Sequence, residues 1–430
     1  MKKKVAMIAL GCRVNQSEGE GLLACFSSDG YEIVNFQEKA DVYIIHTCTV
    51  TSKADSKSRQ LIRKAKKDNQ DAIIVVTGCY AQTAPGDLLG MSEVNLVLGM
   101  KDRNQVVSLV EGLELGERKS VVSNVFKERD FEGLPFVSTE KTRAFIKIEE
   151  GCESFCTYCI IPIARGPIRS RKEKDIINEI MKLSQMGYQE VVLTGIHTGA
   201  YGKDFNNKAT LATLVNKIIE IKGIKRIRFG SLDPNEVSDE FLAVFASAKV
   251  MPHLHLSLQS GDDTILKLMK RPYEKDLYEK VALKIRVIKK DVSLTTDIMV
   301  GFPYETELEH RNSMDFISKI GLDNLHIFKY SKRKGTKAAA FPEQVDEVVK
   351  NKRASEMKVL KDRLHGMFLK KMVGKTLLVL VEENNDGLAT GYSENYLRVK
   401  FSSKQCKVNK IIPVKIINVN GNYLVGTEEV

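Results

Sequence analysis

The chain has 430 residues, 43% hydrophobic and 28% charged, which excludes a largely disordered protein and is too long for one ordinary core, so two or three domains are expected. Its 66 Lys+Arg against 55 Asp+Glu leave a formal net charge of +11, which raises the expectation of a polyanionic partner without establishing one. No apolar run is long enough to span a bilayer, and the run at 5–10 behind three lysines is too short for a secretion signal. A cytoplasmic protein without a membrane partner is expected, whose reduced cysteines serve metal or catalysis before disulfides.

The first hundred residues alternate apolar runs at 5–10, 42–46, 73–77 and 95–98 with helix-length stretches such as 16–28 and 52–68. This pattern predicts an α/β domain, a parallel sheet with helices on its faces. From 101 to 143 the periodicity fades, and Gly133 and Pro135 mark a connector. Strand-like runs resume at 145–148, 190–194, 226–229, 253–258, 293–300 and 324–328, several followed by helix-length stretches. Repeated strand–helix units predict a full or partial parallel barrel, with chemistry at the C-terminal strand ends. Beyond 371, short alternating runs at 376–382, 396–401, 411–419 and 423–426, with turns at Asn385-Asp386-Gly387 and Asn420-Gly421-Asn422, have the size of a small β-barrel. Arg398, Lys400, Lys404, Lys407, Lys410 and Lys415 fall in this tail with no acid between them, open to two readings, a solvated face or an RNA-binding surface. The expected division is 1–115, a linker at 116–140, 141–368 and 369–430.

The cysteines carry the chemistry. Cys152, Cys156 and Cys159 form a Cys-x3-Cys-x2-Cys run directly after a predicted strand. Three thiolates on one loop can hold three irons of a [4Fe–4S] cube and leave the fourth iron open, where the amino and carboxylate groups of a methionine-like ligand can bind. A zinc site lacking its fourth ligand, or unrelated thiols, are the plainer alternatives. Cys12, Cys48 and Cys79 each follow an apolar strand of the first domain, at corners that line one crevice of an open parallel sheet. They suggest a second three-thiolate cluster, with three half-buried thiols as the alternative. Cys25 and Cys406 fall outside both trios and read as small core hydrophobes.

Around these cysteines the segments Ala9-Leu-Gly-Cys12-Arg-Val-Asn15-Gln16, His46-Thr-Cys48-Thr-Val, Val76-Thr-Gly-Cys79-Tyr-Ala-Gln82 and the run from Gly151-Cys152 to Pro162 resemble the methylthiotransferases of the radical S-adenosylmethionine (SAM) superfamily. So do Leu193-Thr-Gly195-Ile-His197, Leu256-Ser-Leu-Gln259-Ser-Gly261, Thr296-Asp297-Ile-Met-Val-Gly301-Phe-Pro303 and Tyr330-Ser-Lys-Arg333, so the resemblance covers essentially the whole chain. It implies a flavodoxin- or Rossmann-like N-terminal domain, a partial (β/α) barrel as the radical SAM core and a C-terminal TRAM domain. Gly11-Cys12-Arg-Val-Asn15-Gln16 is most similar to the branch that modifies threonylcarbamoyladenosine beside the tRNA anticodon. Ile163 and Lys334 depart from the family pattern.

The resemblance implies two [4Fe–4S] clusters and SAM as cofactors. Cys152, Cys156 and Cys159 would hold the cluster that cleaves SAM, and Cys12, Cys48 and Cys79 the auxiliary cluster that delivers methylthio to C2 of the adenine. Tyr158 is placed to pack on the SAM adenine or merely to shield the cluster. Gly195 would let backbone approach the ligand or satisfy a turn. Ser257 and Gln259 would lie near the ribose or only satisfy backbone groups. The stretches Arg165 to Arg171 and Lys329 to Lys337 would place positive charge at the barrel mouth, for phosphate contact or for solubility. Expected partners are a tRNA substrate, a flavodoxin- or ferredoxin-like reductant and a sulfur donor, with a monomeric chain. Other branches, acting on isopentenyladenosine or on a ribosomal protein, and a non-catalytic redox-sensing RNA-binding protein are the alternatives.

Overall fold

The computed structural model describes residues 2–114, 116–135, 142–403 and 405–429. The expected limits at Leu115 and at 140/141, and Lys404 of the basic tail, lie outside the described residues.

Strands β1 (Lys4–Ala9), β2 (Glu32–Val34), β3 (Val42–Thr47), β4 (Ile73–Gly78), β5 (Leu96–Leu98) and β6 (Lys119–Val121) form one sheet in the order β2-β1-β3-β4-β5-β6. Every pairing is parallel. All six residues of β3 are buried, because helices cover both faces of a parallel sheet and leave no polar side to alternate with. The helix Ser52–Asp68 starts where Thr51 Oγ1 accepts from the Ala54 N–H at 3.3 Å, and it turns Leu61, Ile62 and Ala65 onto the sheet. The stretch after 101, expected to be a connector, instead contains the helix Val106–Glu111 and β6. A three-residue edge strand, Lys-Ser-Val, carries too little alternation to be legible in sequence.

The second unit contains β7 (Arg143–Glu150), β8 (Arg169–Ser170), β9 (Glu190–Gly195), β10 (Arg226–Phe229), β11 (His253–His255), β12 (Ser293–Val300) and β13 (Asn324–Lys329). β7, β9 and β10 are parallel neighbours, as are β11, β12 and β13. Parallel bridges at Ile227–Val250 and Leu232–Leu256 join the two sets into one arc. Neither end of the arc pairs with the other among the described residues, so the barrel is partial.

At the C-terminus β14 (Thr376–Asn385), β15 (Leu388–Ser393), β16 (Arg398–Ser402), β17 (Ile411–Asn420) and β18 (Tyr423–Glu428) close a small barrel in the order β14-β15-β16-β18-β17. The β14–β15 hairpin turns through Asp386 (φ 52°) and Gly387 (φ 86°), two consecutive left-handed residues of the kind that match strand twist. β15 was not expected, since Leu-Ala-Thr-Gly-Tyr-Ser has weak alternation and an internal glycine.

The helix Glu347–Met372 splices this barrel to the partial one. Its Met357, Leu360 and Leu364 enter the core of the larger unit, and its Phe368, Leu369 and Met372 enter the core of the smaller. At about 1.5–3 kcal/mol per buried large side chain, either half of the helix is firmly seated. From β10, the buried Arg226 donates to the Leu378 carbonyl at 2.7 Å, and Arg228 donates to those of Ser393 and Glu394 at 2.9 Å. Among the described residues, no helix is long and apolar enough to cross a membrane.

Candidate active site

Each cysteine of the first trio stands at the carboxyl end of one of three neighbouring strands. Cys12 caps the helix Arg13–Ser28 after β1, Cys48 follows β3, and Cys79 opens the helix Cys79–Thr83 after β4. The corners are tight. Gly11 has φ +93°, and a Cβ there would lie 2.7 Å from Cys48 Cβ and 2.8 Å from its Sγ, so only glycine fits between two cysteine corners. Burial pushes the Cys79 thiol up to about 12; the nearby Arg165 opposes this, while repulsion from Cys48 and Cys12 adds to it. Cys12 is exposed, whereas Cys48 and Cys79 are buried. The structure therefore brings the dispersed trio together.

The second trio follows β7. Cys152, Cys156 and Cys159 line a cavity of about 310 Å³ together with Tyr158, Ser257 and Gln259. Burial would raise the Cys152 thiol, but His197 outweighs it and holds it below the ordinary value. The His197 ring lies between Cys152 (Nδ1 to Sγ 3.7 Å) and Glu236 (Nε2 to Oε1 2.7 Å). Arg271 donates from Nη1 to Cys156 Sγ at 3.1 Å and pairs with Asp233. Gln259 sits in the left-handed region at φ 68°, fixed by its N–H to the Asp297 carbonyl and by the Met299 N–H to its own carbonyl, both 2.9 Å. A non-glycine residue held this way marks a site that over-determines its backbone.

Gly195 does not line the cavity; its neighbours Ile196 and His197 do. What excludes a side chain at Gly195 is the Glu149 carboxylate, 2.7 Å from a Cβ built there. The residues that sequence reasoning did not single out are Arg271, Asp233, Glu236 and Asp297. Asp233 and Glu236 come from the segment after β10, Arg271 from the loop after the helix Asp263–Leu268 and Asp297 from within β12, with no local spacing to announce them. The positive charge expected at the barrel mouth is met in part, since Lys329 lines the cavity and Lys332, Lys334 and Lys337 are exposed, but the arginines are placed differently. Arg165 and Arg169 are buried, Arg171 pairs with Glu179 at 2.5 Å, and Arg333 pairs with Asp55 at 2.5 Å, because each finds an internal carboxylate or carbonyl. The chain beside the second departure from the family pattern runs close to the first: a Cβ on Gly335, next to Lys334, would lie 3.7 Å from Ile163 Cδ1.

Both domains contribute to one cavity. Val50 and Thr51, directly after Cys48 and Thr49, form part of the wall that also holds Cys152, Cys156 and Cys159. Across this junction Ser52 Oγ lies 3.1 Å from Ser331 Oγ, and Arg333 donates to Thr49 Oγ1 at 2.6 Å. Among the described residues no three His, Cys, Asp or Glu side chains converge to hold a single metal ion. A thiolate trio that binds a cube does so at three separate corners and needs no such convergence. Three thiols without a fourth, with an arginine donating to a sulfur in each trio, are a donor set that fits a [4Fe–4S] cluster with one open iron.

Residues 4–99 match the model described as "Uncharacterized protein family UPF0004", and residues 146–317 match the radical SAM superfamily. The chain is 40% identical to the threonylcarbamoyladenosine tRNA methylthiotransferase MtaB of Bacillus subtilis, over 98% of this chain and 95% of that protein. It is 35% identical to the tRNA-2-methylthio-N(6)-dimethylallyladenosine synthase of Oceanobacillus iheyensis, over 100% of this chain and 85% of that one. Its fold is similar to the radical SAM methyltransferase TsrM of Kitasatospora setae, solved with cobalamin and a [4Fe–4S] cluster, with a TM-score of 0.56 at 14% identity over 79% of this chain and 77% of that one. With one cysteine trio lining a cavity that the segment after Cys48 helps to wall, and relatives of this similarity over its whole length, the chain belongs to the radical SAM methylthiotransferase family.

Proposed function

We propose that this chain adds a methylthio group to C2 of N6-threonylcarbamoyladenosine at position 37 of tRNA, beside the anticodon. The observation that carries the reading is the shared cavity, whose wall contains Cys152, Cys156 and Cys159 on one side and the segment leaving Cys48 on the other. The name of the relative at 40% identity supports the choice of nucleoside. When bound, two [4Fe–4S] clusters and SAM supply the electron, the carbon radical and the methylthio group, chemistry that no side chain provides.

The chain's own groups bind, orient and shield. In this reading Cys152, Cys156 and Cys159 hold the radical cluster and Cys12, Cys48 and Cys79 the auxiliary one. His197 and Arg271 fix the thiolates of Cys152 and Cys156. Tyr158, Ser257 and Gln259 present the SAM-binding wall, and Gly195 fixes the turn that places His197. Ile160, Met299, Phe328 and Tyr330 keep the cavity largely apolar, which limits water around a reactive radical.

The small C-terminal barrel is the RNA-binding surface in this reading. Arg398, Lys407, Lys410 and Lys415 are exposed, and none enters an ion pair among the described residues, so their charge is free for phosphate. The reading includes residues 1–115, 141–368 and 369–430 as the auxiliary, radical and RNA-binding units, a cytoplasmic location, a monomeric chain, a flavodoxin- or ferredoxin-like reductant and a sulfur donor.

Mass spectrometry of nucleosides from tRNA of cells with and without the protein tests it. The methylthio derivative of threonylcarbamoyladenosine should vanish in its absence. Loss of the dimethylallyl derivative instead, as the Oceanobacillus relative's name would suggest, moves the substrate to the other branch; an unchanged tRNA overturns the reading.

A further inference from the structure

Arg165 has no solvent access, and every nitrogen of its guanidinium is used. Nη1 donates to Glu18 at 2.8 Å and to Glu150 at 3.0 Å, Nη2 donates to Asn15 Oδ1 at 2.6 Å, and Nε donates to Cys79 Sγ at 3.3 Å. Burying a guanidinium is costly unless each donor finds a partner, so the partners disclose what the residue is for. Two are carboxylates, but these have other cations: Arg103 lies 2.9 Å from Glu18, and Lys147 contacts both Glu18 and Glu150. The contact that Arg165 alone makes, among the described residues, is the one to the cysteine sulfur.

The remaining partner extends its reach to the other two corners. Asn15 donates from Nδ2 to the carbonyls of Leu10 at 2.7 Å and Thr47 at 3.0 Å, the residues just before the corners of Cys12 and Cys48, and Cys12 Sγ lies 3.7 Å from Asn15 Oδ1. On its other side, the backbone of the same segment touches the radical trio. The Cys152 N–H donates to the Gly166 carbonyl at 3.0 Å, and a Cβ on Gly151 would fall 1.9 Å from the Pro167 carbonyl oxygen. One short segment thus grips the Cys152 backbone, contacts the Cys79 corner directly through Arg165, and reaches the corners of Cys12 and Cys48 through Asn15.

We propose that Arg165 is a positioning residue for the auxiliary site: its guanidinium holds the Cys79 thiolate, sets the reduction potential of the cluster bound there, and fixes that trio relative to Cys152. Hydrogen bonds and positive charge at a cluster sulfur favour the reduced, more negative state and so raise the potential. Arginine suits the task because it cannot lose its proton and its planar fork serves Cys79, Asn15 and the carboxylates at once. The inference rests on the reading of Cys12, Cys48 and Cys79 as cluster ligands, and its test separates the two.

The test uses the full chain carrying Cys152→Ala, Cys156→Ala and Cys159→Ala, reconstituted anaerobically, so that only the auxiliary cluster remains. This background should retain about four irons; a background without iron overturns the ligand assignment itself. With iron bound, an EPR-monitored redox titration should show a more negative midpoint in Arg165→Gln and an intermediate midpoint in Arg165→Lys, which keeps the charge but lacks the fixed Nε donor. An unchanged midpoint in Arg165→Gln overturns the inference. If that variant does not fold, as judged by circular dichroism, Arg165→Lys carries the test alone, and a midpoint equal to that of the parent overturns it.

Discussion

Arg271 and Cys156, more than a hundred residues apart in sequence, meet with Nη1 3.1 Å from Sγ, and the same guanidinium is braced by Asp233 and by Tyr273 Oη at 2.9 Å. Burial pushes the Cys156 thiol up and Arg271 pulls it back, so the arginine favours the thiolate that a metal requires. Arg271→Ala should lower iron retention at the radical site and SAM cleavage by about 10–100-fold, as loss of a partner that orients a ligand usually does. The yield of 5′-deoxyadenosine under reducing conditions measures it; a yield equal to wild type would show that Arg271 is dispensable.

Arg333 joins the N-terminal sheet to the partial barrel through Thr49 and Asp55. Both Arg333 and Asp55 are 13% exposed, so removing the arginine leaves a mostly buried carboxylate unpaired. Arg333→Ala should destabilise the junction by about 1–3 kcal/mol. Limited proteolysis should then cut between the two units sooner than in wild type, while unchanged kinetics of cutting would mean that the ion pair does not hold them.

Burial raises the Asp323 carboxyl to about 6, even though the Leu294 N–H donates to its Oδ2 at 2.7 Å. The folded state therefore holds this proton more tightly than the unfolded chain, where an aspartate titrates near about 4. Its contribution to stability is complete below about pH 4 and is lost as pH rises through about 6. Asp323→Asn should match wild type in acid and exceed it above about pH 7 by about 1–3 kcal/mol. Thermal melts across that range report it; a difference independent of pH would rule out this titration.

Deleting the C-terminal barrel is a poor test of RNA binding, because Arg226 and Arg228 would lose the carbonyls that satisfy them. Surface changes are cleaner. Replacing Lys407, Lys410 and Lys415 by Ala should weaken tRNA binding and reduce the slope of log affinity against log salt by up to about 3. SAM cleavage measured without tRNA should stay the same. A salt slope identical to wild type would place the RNA elsewhere.

The parallel sheet, the partial barrel and the small β-barrel were legible because each writes its own period into the chain: apolar runs for β3 and β4, and alternation for β14 and β17. The strands that escaped notice, β2, β6, β8 and β15, are short or glycine-broken and owe their existence to neighbours already in place. The cysteine trios were legible for two different reasons. Cys152, Cys156 and Cys159 are local, while Cys12, Cys48 and Cys79 share a strand-to-corner context that topology turns into proximity. Arg165, His197, Arg271 and Asp233 take their roles from tertiary contacts. In sequence Arg165 reads as one more basic residue, and only its burial against Glu18 and Cys79 shows otherwise.

The central claim is that each trio holds its own cluster for a different part of one reaction. Iron content and 5′-deoxyadenosine formation, measured together on anaerobically reconstituted protein, test it most directly. Wild type should hold about eight irons; Cys152→Ala should abolish SAM cleavage, and Cys12→Ala should keep some cleavage but stop methylthiolation of tRNA. Zinc in place of iron, or full methylthiolation by Cys12→Ala, would contradict the account.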